Sequence, residues 1–201
     1  MKNFIITGTD TDAGKTTVAA ALLRETAGHY WKPLQSGRDD SGQTDRERVM
    51  AQTALAADHF FPESYVFQNP LSPHRAAELE NITIHPQKIL DDYKNILSLR
   101  SPASSPLYIE GAGGLMVPIT REFLQIDLFA NMQTIAPTPI ILVARTTLGT
   151  INHTLLSVEA LRTRNLPLHG IYFWGPENDD NIRTIADISG AAVLGHVKIS
   201  A

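Results

Sequence analysis

One stretch near the start of the sequence limits the folds open to this chain more than any other. The apolar run Phe4-Ile5-Ile6 leads into Gly8-Thr9-Asp10-Thr11-Asp12-Ala13-Gly14-Lys15-Thr16, and Val18-Ala19-Ala20-Ala21-Leu22-Leu23 follows as the buried face of a helix. Strand, tight loop and helix in that order turn a Gly-Lys-Thr match into a phosphate-binding loop. Backbone N–H groups at the helix start cradle polyphosphate, and the helix dipole favours negative charge there. Lys15 is placed to reach the β- and γ-phosphates, and the Thr16 hydroxyl to bind Mg²⁺. The loop departs from the common pattern, because Gly8 and Gly14 enclose five residues rather than four. A strand-to-helix turn without a ligand is the alternative, and Gly-Lys-Thr-Thr at a helix start argues against it.

The 201 residues suit a single domain, residues 1–201, with a full core. A formal net charge of −4 argues against nucleic acid or an anionic membrane as partner. The absence of cysteine removes disulfides, thiolate metal sites and cysteine nucleophiles together. Met1-Lys2-Asn3 leads directly into the first strand, leaving no room for a signal peptide, and the apolar runs are too short to span a bilayer. A cytoplasmic protein is the expectation.

Short β-rich apolar runs alternate with helical patterns further along. Tyr30-Trp31-Lys32-Pro33 reads as a strand ending in a loop, 36–44 as loop, and 45–57 as a helix with Asp45 near its N-cap. Leu71-Ser72-Pro73-His74 begins another helix, Pro86 opens one through about Leu99, and Ser101 to Pro106 is a surface connection. Leu107-Tyr108-Ile109, Ile140-Ile141-Leu142-Val143 and Gly170-Ile171-Tyr172-Phe173 read as central strands. Near-continuous apolar strands separated by helices indicate an α/β fold: a doubly wound, mostly parallel sheet covered on both faces, of the P-loop nucleotide-binding kind.

Ligands of such sheets sit at the carboxyl ends of the strands. Those ends carry the phosphate loop, Lys32 and then Ser36, Glu110-Gly111-Ala112-Gly113-Gly114, and Leu148-Gly149-Thr150-Ile151-Asn152 at a helix start. An acid directly after an apolar strand is where nucleotide enzymes hold hydrated Mg²⁺. Glu110 fits that place. Asp45 is a second candidate, balanced evenly against a plain helix cap. Scattered histidines form no metal-ligand spacing, and Tyr30 and Trp31 read as core or rim.

At this point the chain resembles the dethiobiotin synthetases over nearly its whole length. The resemblance rests on separated motifs in family order: Gly8 to Thr16 with the extra loop residue, Lys32-Pro33 followed by Ser36-Gly37, Asp45, Ser72-Pro73-His74, Glu110 to Gly114, and Leu148 to His153. It implies Mg-ATP-dependent ring closure of 7,8-diaminononanoate with CO₂, through a carbamate and a carbamic–phosphoric anhydride, releasing ADP and phosphate. Lys15, Lys32 and Thr11 match catalytic positions. Thr16, Asp45 and Glu110 match positions that hold Mg²⁺. Nucleotide contacts carry over to Asp12, Ala13, Gly14, Lys15, Thr16 and Thr17, to Asp45, Glu110, Gly111, Ala112 and Gly113, and to Trp174 and Gly175. Thr11, Asp12 and Ser36 match residues lining the diamine and carbamate. Gly149, Thr150, Ile151 and Asn152 resemble the turn that receives the substrate carboxylate across a homodimer interface.

Two departures bear on the base and the substrate. Asp12 stands where many members carry Glu, one methylene longer. Trp174 matches a position where members often read adenine with Asn, and it offers no paired amide donor and acceptor. The sequence ends at Ala201, soon after Gly195-His196-Val197-Lys198, so a loop that closes over the base is expected to be altered or missing. Stacking without edge contacts then implies weak base selection. Partition and division-site ATPases are the rival reading. They resemble a loop with an extra upstream lysine, where this chain has Asp10.

Overall fold

The apolar runs become strands whose side chains alternate between two covered faces. The computed structural model describes residues 2–100 and 105–199. Its elements are β1 (Asn3–Gly8), α1 (Lys15–Thr26), β2 (His29–Trp31), β3 (Leu34–Ser36), α2 (Asp45–Thr53), β4 (Phe60–Phe61), β5 (Tyr65–Phe67), α3 (Pro73–Leu79) and α4 (Pro86–Leu99), then β6 (Leu107–Gly114), α5 (Gln125–Ile135), β7 (Ile140–Arg145), α6 (Thr150–Thr163), β8 (Leu168–Gly175), α7 (Asp179–Ser189) and β9 (Val193–Lys198). Seven strands form one sheet in the order β4-β2-β6-β1-β7-β8-β9, every pairing parallel. β3 and β5 pair in parallel as a separate two-stranded sheet.

Alternation assigns the helices to their faces. Ile6, Tyr108, Ile141 and Val143 pack against Val18, Ala19, Leu22 and Leu23 of α1 and Val49 of α2. Their neighbours Ile5, Leu107, Ile109 and Ile140 pack on the opposite face with α4 and α5, through Ile89, Tyr93, Phe129 and Met132. Leu142, Ala144, Ile171 and Phe173 meet Val158 of α6 and Ile185 of α7. No helix among the described residues is long and apolar enough to cross a membrane.

Several boundaries differ from those expected. α2 stops at Thr53 rather than 57, because Ala54 turns left-handed (φ 54°) and its N–H caps on the Met50 carbonyl. Lys32-Pro33 divides the strand expected there: β2 ends at Trp31, and β3 leaves the main sheet to pair with β5. β6 runs through Gly114 rather than ending at Ile109, continuing its pairing with β1 past a register shift. Of the connection expected over 101–106, residues 101–104 lie outside the described residues.

The amino-terminal edge of the sheet holds a packed imidazole. His29 stacks on His59 at 5.1 Å and on Phe61 at 5.8 Å between ring centroids. Burial lowers its pKa from the ordinary 6.5, Arg100 and His59 add to the effect, and Asp58 opposes it. The unfolded chain therefore takes up this proton more readily than the folded one. The stability carried by neutral His29 is present above 6.5 and is lost as pH falls from there through the folded pKa. The urea midpoint should decline between about pH 7 and pH 5, and His29→Phe, which keeps the stacking, should make that decline shallower. Equal slopes in the two proteins would remove His29 as its source.

Candidate active site

The phosphate-loop segment closes β1 and opens α1. Gly14 is the N-cap of α1, in the left-handed region at φ 89°, and no side chain caps the helix start. Its backbone is pressed against an indole: a Cβ built on Gly14 would lie 2.2 Å from Trp174 Cγ. Lys15 folds back over the loop, its Nζ donating to the Asp10 carbonyl at 3.2 Å. Burial lowers the Lys15 pKa. The Glu110 charge works against that shift and Lys32 works with it.

Sheet register brings the charged groups together. Tyr30 of β2 pairs beside Tyr108 of β6. Two residues further along each chain lie Lys32 and Glu110, on the same face by the strand period. Lys32 Nζ donates to Glu110 Oε1 at 3.1 Å and to Asp45 Oδ2. Thr16 Oγ1 donates to the same Glu110 Oε1 at 2.9 Å, and the Tyr30 hydroxyl donates to Glu110 Oε2 at 2.9 Å. Glu110 is fully buried. A buried carboxylate without partners is costly enough to unfold a domain, so these contacts make its position tolerable. Burial alone would lower the Lys32 pKa, but Glu110 and then Asp45 outweigh it and raise the value. Burial would likewise raise Asp45, and Lys32 outweighs it, holding that carboxyl below the usual range. Burial, reinforced by the Glu110 and Asp45 charges, pushes the Tyr30 phenol well above 10 and keeps it a donor.

Two expectations about these acids are corrected. Glu110 does not follow its strand. It lies inside β6, opposite Ile6 of β1. Asp45 is not the cap of α2. Thr44 fills that role, its hydroxyl accepting from Glu47 N while Glu47 accepts from Thr44 N, and this leaves the Asp45 carboxylate for Lys32.

These groups line one cavity of ≈ 690 Å³ at the carboxyl ends of the strands. The loop and α1 contribute Thr11, Asp12, Gly14, Lys15, Thr16 and Thr17. Lys32, Ser36 and Asp45 line it as well, with Glu110, Ala112, Gly113 and Trp174, and the segment from Pro70 to Pro73. The Ser36 Oγ is buried and has no hydrogen-bond partner. Asp12 is exposed, with φ 55°. Ala13, Gly111 and Gly175 are buried behind the lining, and Gly111 is pressed against Gln125 and Phe129. The turn from Gly149 to Asn152 stands apart from the cavity. Gly149 and Asn152 are exposed there, Ile151 is half-buried, and Thr150 is turned inward, its hydroxyl donating to the Arg145 carbonyl.

Other residues emerge only from the coordinates. Gln35 accepts from Asp45 N at 3.2 Å and donates to the Gly37 carbonyl at 2.8 Å. Gln125 spans the glycine run, accepting from Ala112 N at 2.6 Å and donating to the Gly114 carbonyl at 2.9 Å. Arg48 lines the cavity and reaches Asp45 Oδ1 and Asp39 Oδ2, each at 3.5 Å. Tyr30, read from the sequence as core or rim, reaches Glu110 only through the pairing of β2 with β6. The two glutamines carry no local signal.

No cluster of three or more His, Cys, Asp or Glu side chains suited to a metal occurs among the described residues. Thr16 and two carboxylates are hard oxygen donors, too few for a protein cage. They fit Mg²⁺, which takes one or two carboxylates and completes its shell with phosphate oxygens and water.

Comparisons with known proteins agree with this geometry. The family model AAA_26, described as an AAA domain, matches residues 2–200. The ATP-dependent dethiobiotin synthetase BioD of Rhodopseudomonas palustris is 46% identical over 194 residues, covering 96% of this chain and 84% of the relative. That of Agrobacterium fabrum is 45% identical with the same coverage. That of Novosphingobium aromaticivorans is 42% identical, covering 98% and 88%. Among solved structures, a ParA family ATPase from Chlorobium tepidum matches with TM-score 0.56 at 12% identity, over 99% of this chain and 85% of that one. The MinD cell division protein of Aquifex aeolicus matches with TM-score 0.54 at 12% identity, over 100% and 83%. At that identity the two structures share the fold alone, a P-loop nucleotide-binding α/β sheet.

The contact between Gly14 and Trp174 yields a test. Gly14→Ala should destabilise the protein by more than the ~1–2 kcal/mol of a left-handed non-glycine residue, because the new Cβ also collides with the indole. In a Trp174→Ala background the same substitution should cost only the backbone part. Urea unfolding of the four proteins measures both, and equal costs in the two backgrounds would show that the indole is not the obstacle.

Proposed function

The chain belongs to the ATP-dependent dethiobiotin synthetase family, and from that premise we propose how its single domain works as an ATP-dependent cyclo-ligase of biotin biosynthesis. The substrates are 7,8-diaminononanoate, CO₂ and Mg-ATP. One amine adds to CO₂ and loses a proton, giving a carbamate. A carbamate oxygen attacks the γ-phosphorus and ADP leaves. The second amine then attacks the carbamoyl carbon, phosphate leaves, and the cyclic urea closes. The observation that carries this reading is the cluster of Lys32, Asp45, Glu110 and Thr16, which shares one cavity with Lys15 and the unpartnered Ser36 hydroxyl.

Carbamate and triphosphate are both anions, so their approach needs cations fixed in advance. Lys15 and Lys32, which line the same cavity, supply them. Thr11, Asp12 and Ser36 hold the diamine and its carbamate. Thr16, Asp45 and Glu110 hold Mg²⁺, which neutralises charge on the phosphates when bound. Backbone from Ala13 to Thr17 takes the phosphates, Gly111 to Gly113 floor the nucleotide site, and Trp174 with Gly175 borders the base. An indole offers stacking, which tolerates every base, so base selection is weak.

We further propose that the protein acts as a homodimer with shared sites. The exposed turn at Gly149 to Asn152 lies outside its own cavity, and a free helix start suits a carboxylate. The neighbouring copy's turn then receives the diaminononanoate carboxylate. Mixing inactive Lys32→Ala and inactive Asn152→Arg chains should restore part of the activity in verified heterodimers. No rescue there would mean that each site is built within one chain.

The decisive measurement is ADP release that requires both 7,8-diaminononanoate and bicarbonate. Lys15→Ala and Lys32→Ala should each lower it by about 10²–10³. Lys32→Ala should also lower folding stability by about 3–5 kcal/mol, because it strips the cation from a buried carboxylate. Adding Glu110→Gln should recover that stability without recovering turnover. ATP hydrolysis indifferent to the diamine would overturn the reading.

A further inference from the structure

We propose that Tyr30 is a positioning residue that fixes the rotation of the Glu110 carboxylate, presenting Oε1 to Thr16 and Lys32. The inference rests on the Mg-nucleotide reading of the cavity and adds a residue to it. Tyr30 is fully buried and does not line the cavity, so it meets no substrate. Its hydroxyl nevertheless reaches the one Glu110 oxygen that neither Thr16 nor Lys32 contacts.

The arrangement is one-sided. Thr16 and Lys32 both come to Oε1, at 2.9 and 3.1 Å, and a carboxylate held by one oxygen remains able to turn about its last bond. The donor at Oε2, also at 2.9 Å, removes that freedom. Its placement follows from the sheet: Tyr30 stands beside Tyr108 in register, and Glu110 is the next residue of β6 on that face. Phe60 and Val49 belong to the same apolar cluster as the Tyr30 ring, so the phenol is itself held in place. A phenylalanine would fill the same volume and leave the buried Oε2 without its donor. Partners behind a ligating carboxylate typically govern metal affinity by ten- to a hundredfold, roughly the scale expected here.

The test compares Tyr30→Phe with Tyr93→Phe. Tyr93 also bears a buried hydroxyl, bonded to Thr138 at 2.7 Å on the other face of the sheet, so its loss reports a structural hydroxyl only. ADP binding is measured by calorimetry with Mg²⁺ and with excess chelator, alongside urea unfolding. Tyr30→Phe should weaken Mg-dependent ADP binding by about tenfold while leaving metal-free binding within about twofold. Tyr93→Phe should lose stability and change neither. In a Glu110→Gln background, Tyr30→Phe should add less than about twofold, because the two groups act as one unit. An unchanged Mg²⁺ dependence in Tyr30→Phe overturns the inference, as does an equal loss with and without metal. The same penalty in both Glu110 backgrounds overturns it too. Wild-type binding that ignores Mg²⁺ would instead overturn the Mg-nucleotide reading, and this inference with it.

Discussion

A carboxylate sealed inside a parallel sheet is the constraint on which the site depends. Glu110 has no exposed surface, and its neutralising cation is Lys32, itself almost wholly buried. Neither charge is tolerable alone at that depth. Each needs the other, and together they need Asp45, Thr16 and Tyr30. The backbone must therefore deliver five side chains, from β2 and the break after it, α2, α1 and β6, to one point. That demand accounts for features that otherwise look unrelated. The break at Lys32-Pro33 releases the lysine from its strand. Capping of α2 passes to Thr44, and Gln35 ties the start of that helix to β3.

The mutual dependence also joins stability to chemistry. Charges fixed in a dry site cost little reorganisation when a reaction needs them, because the folded structure already supports their desolvation. The raised pKa of Lys32 and the lowered pKa of Asp45 describe the same ion pair from its two ends. The phosphate loop contributes differently. Lys15 meets a backbone carbonyl rather than an acid, so its charge is less fully compensated, in keeping with its lowered pKa.

Much of the fold was legible because parallel strands buried on both faces write unbroken apolar runs, as in Leu107-Tyr108-Ile109 and Ile140 to Val143. The boundaries that slipped were set by long-range partners. β6 continues through five residues with three glycines because β1 pairs with it, and no local propensity announces that. Lys32, Glu110 and Ser36, expected at strand ends, and Asp45, expected at a helix start, were legible as chemistry-bearing residues, and they do line one cavity. Their mutual contacts were not. Asp45 looked equally like a cap, although Thr44 and Glu47 already carried the spacing of a capping box in the sequence, and the structure shows that box formed. Tyr30 read as core, and it is core. Its hydroxyl acquires a partner only through the pairing of β2 with β6.

The indole against Gly14 couples two parts of the cavity wall that come from distant parts of the chain. Trp174 is the penultimate residue of β8, and Gly14 is the N-cap of α1. Between them there is no room for even a methyl group. A smaller side chain at 174 would open a void behind the phosphate loop, and a larger residue at 14 would displace the indole. A change at Trp174 is consequently also a change at the turn into α1, and the two positions must be selected together rather than in turn.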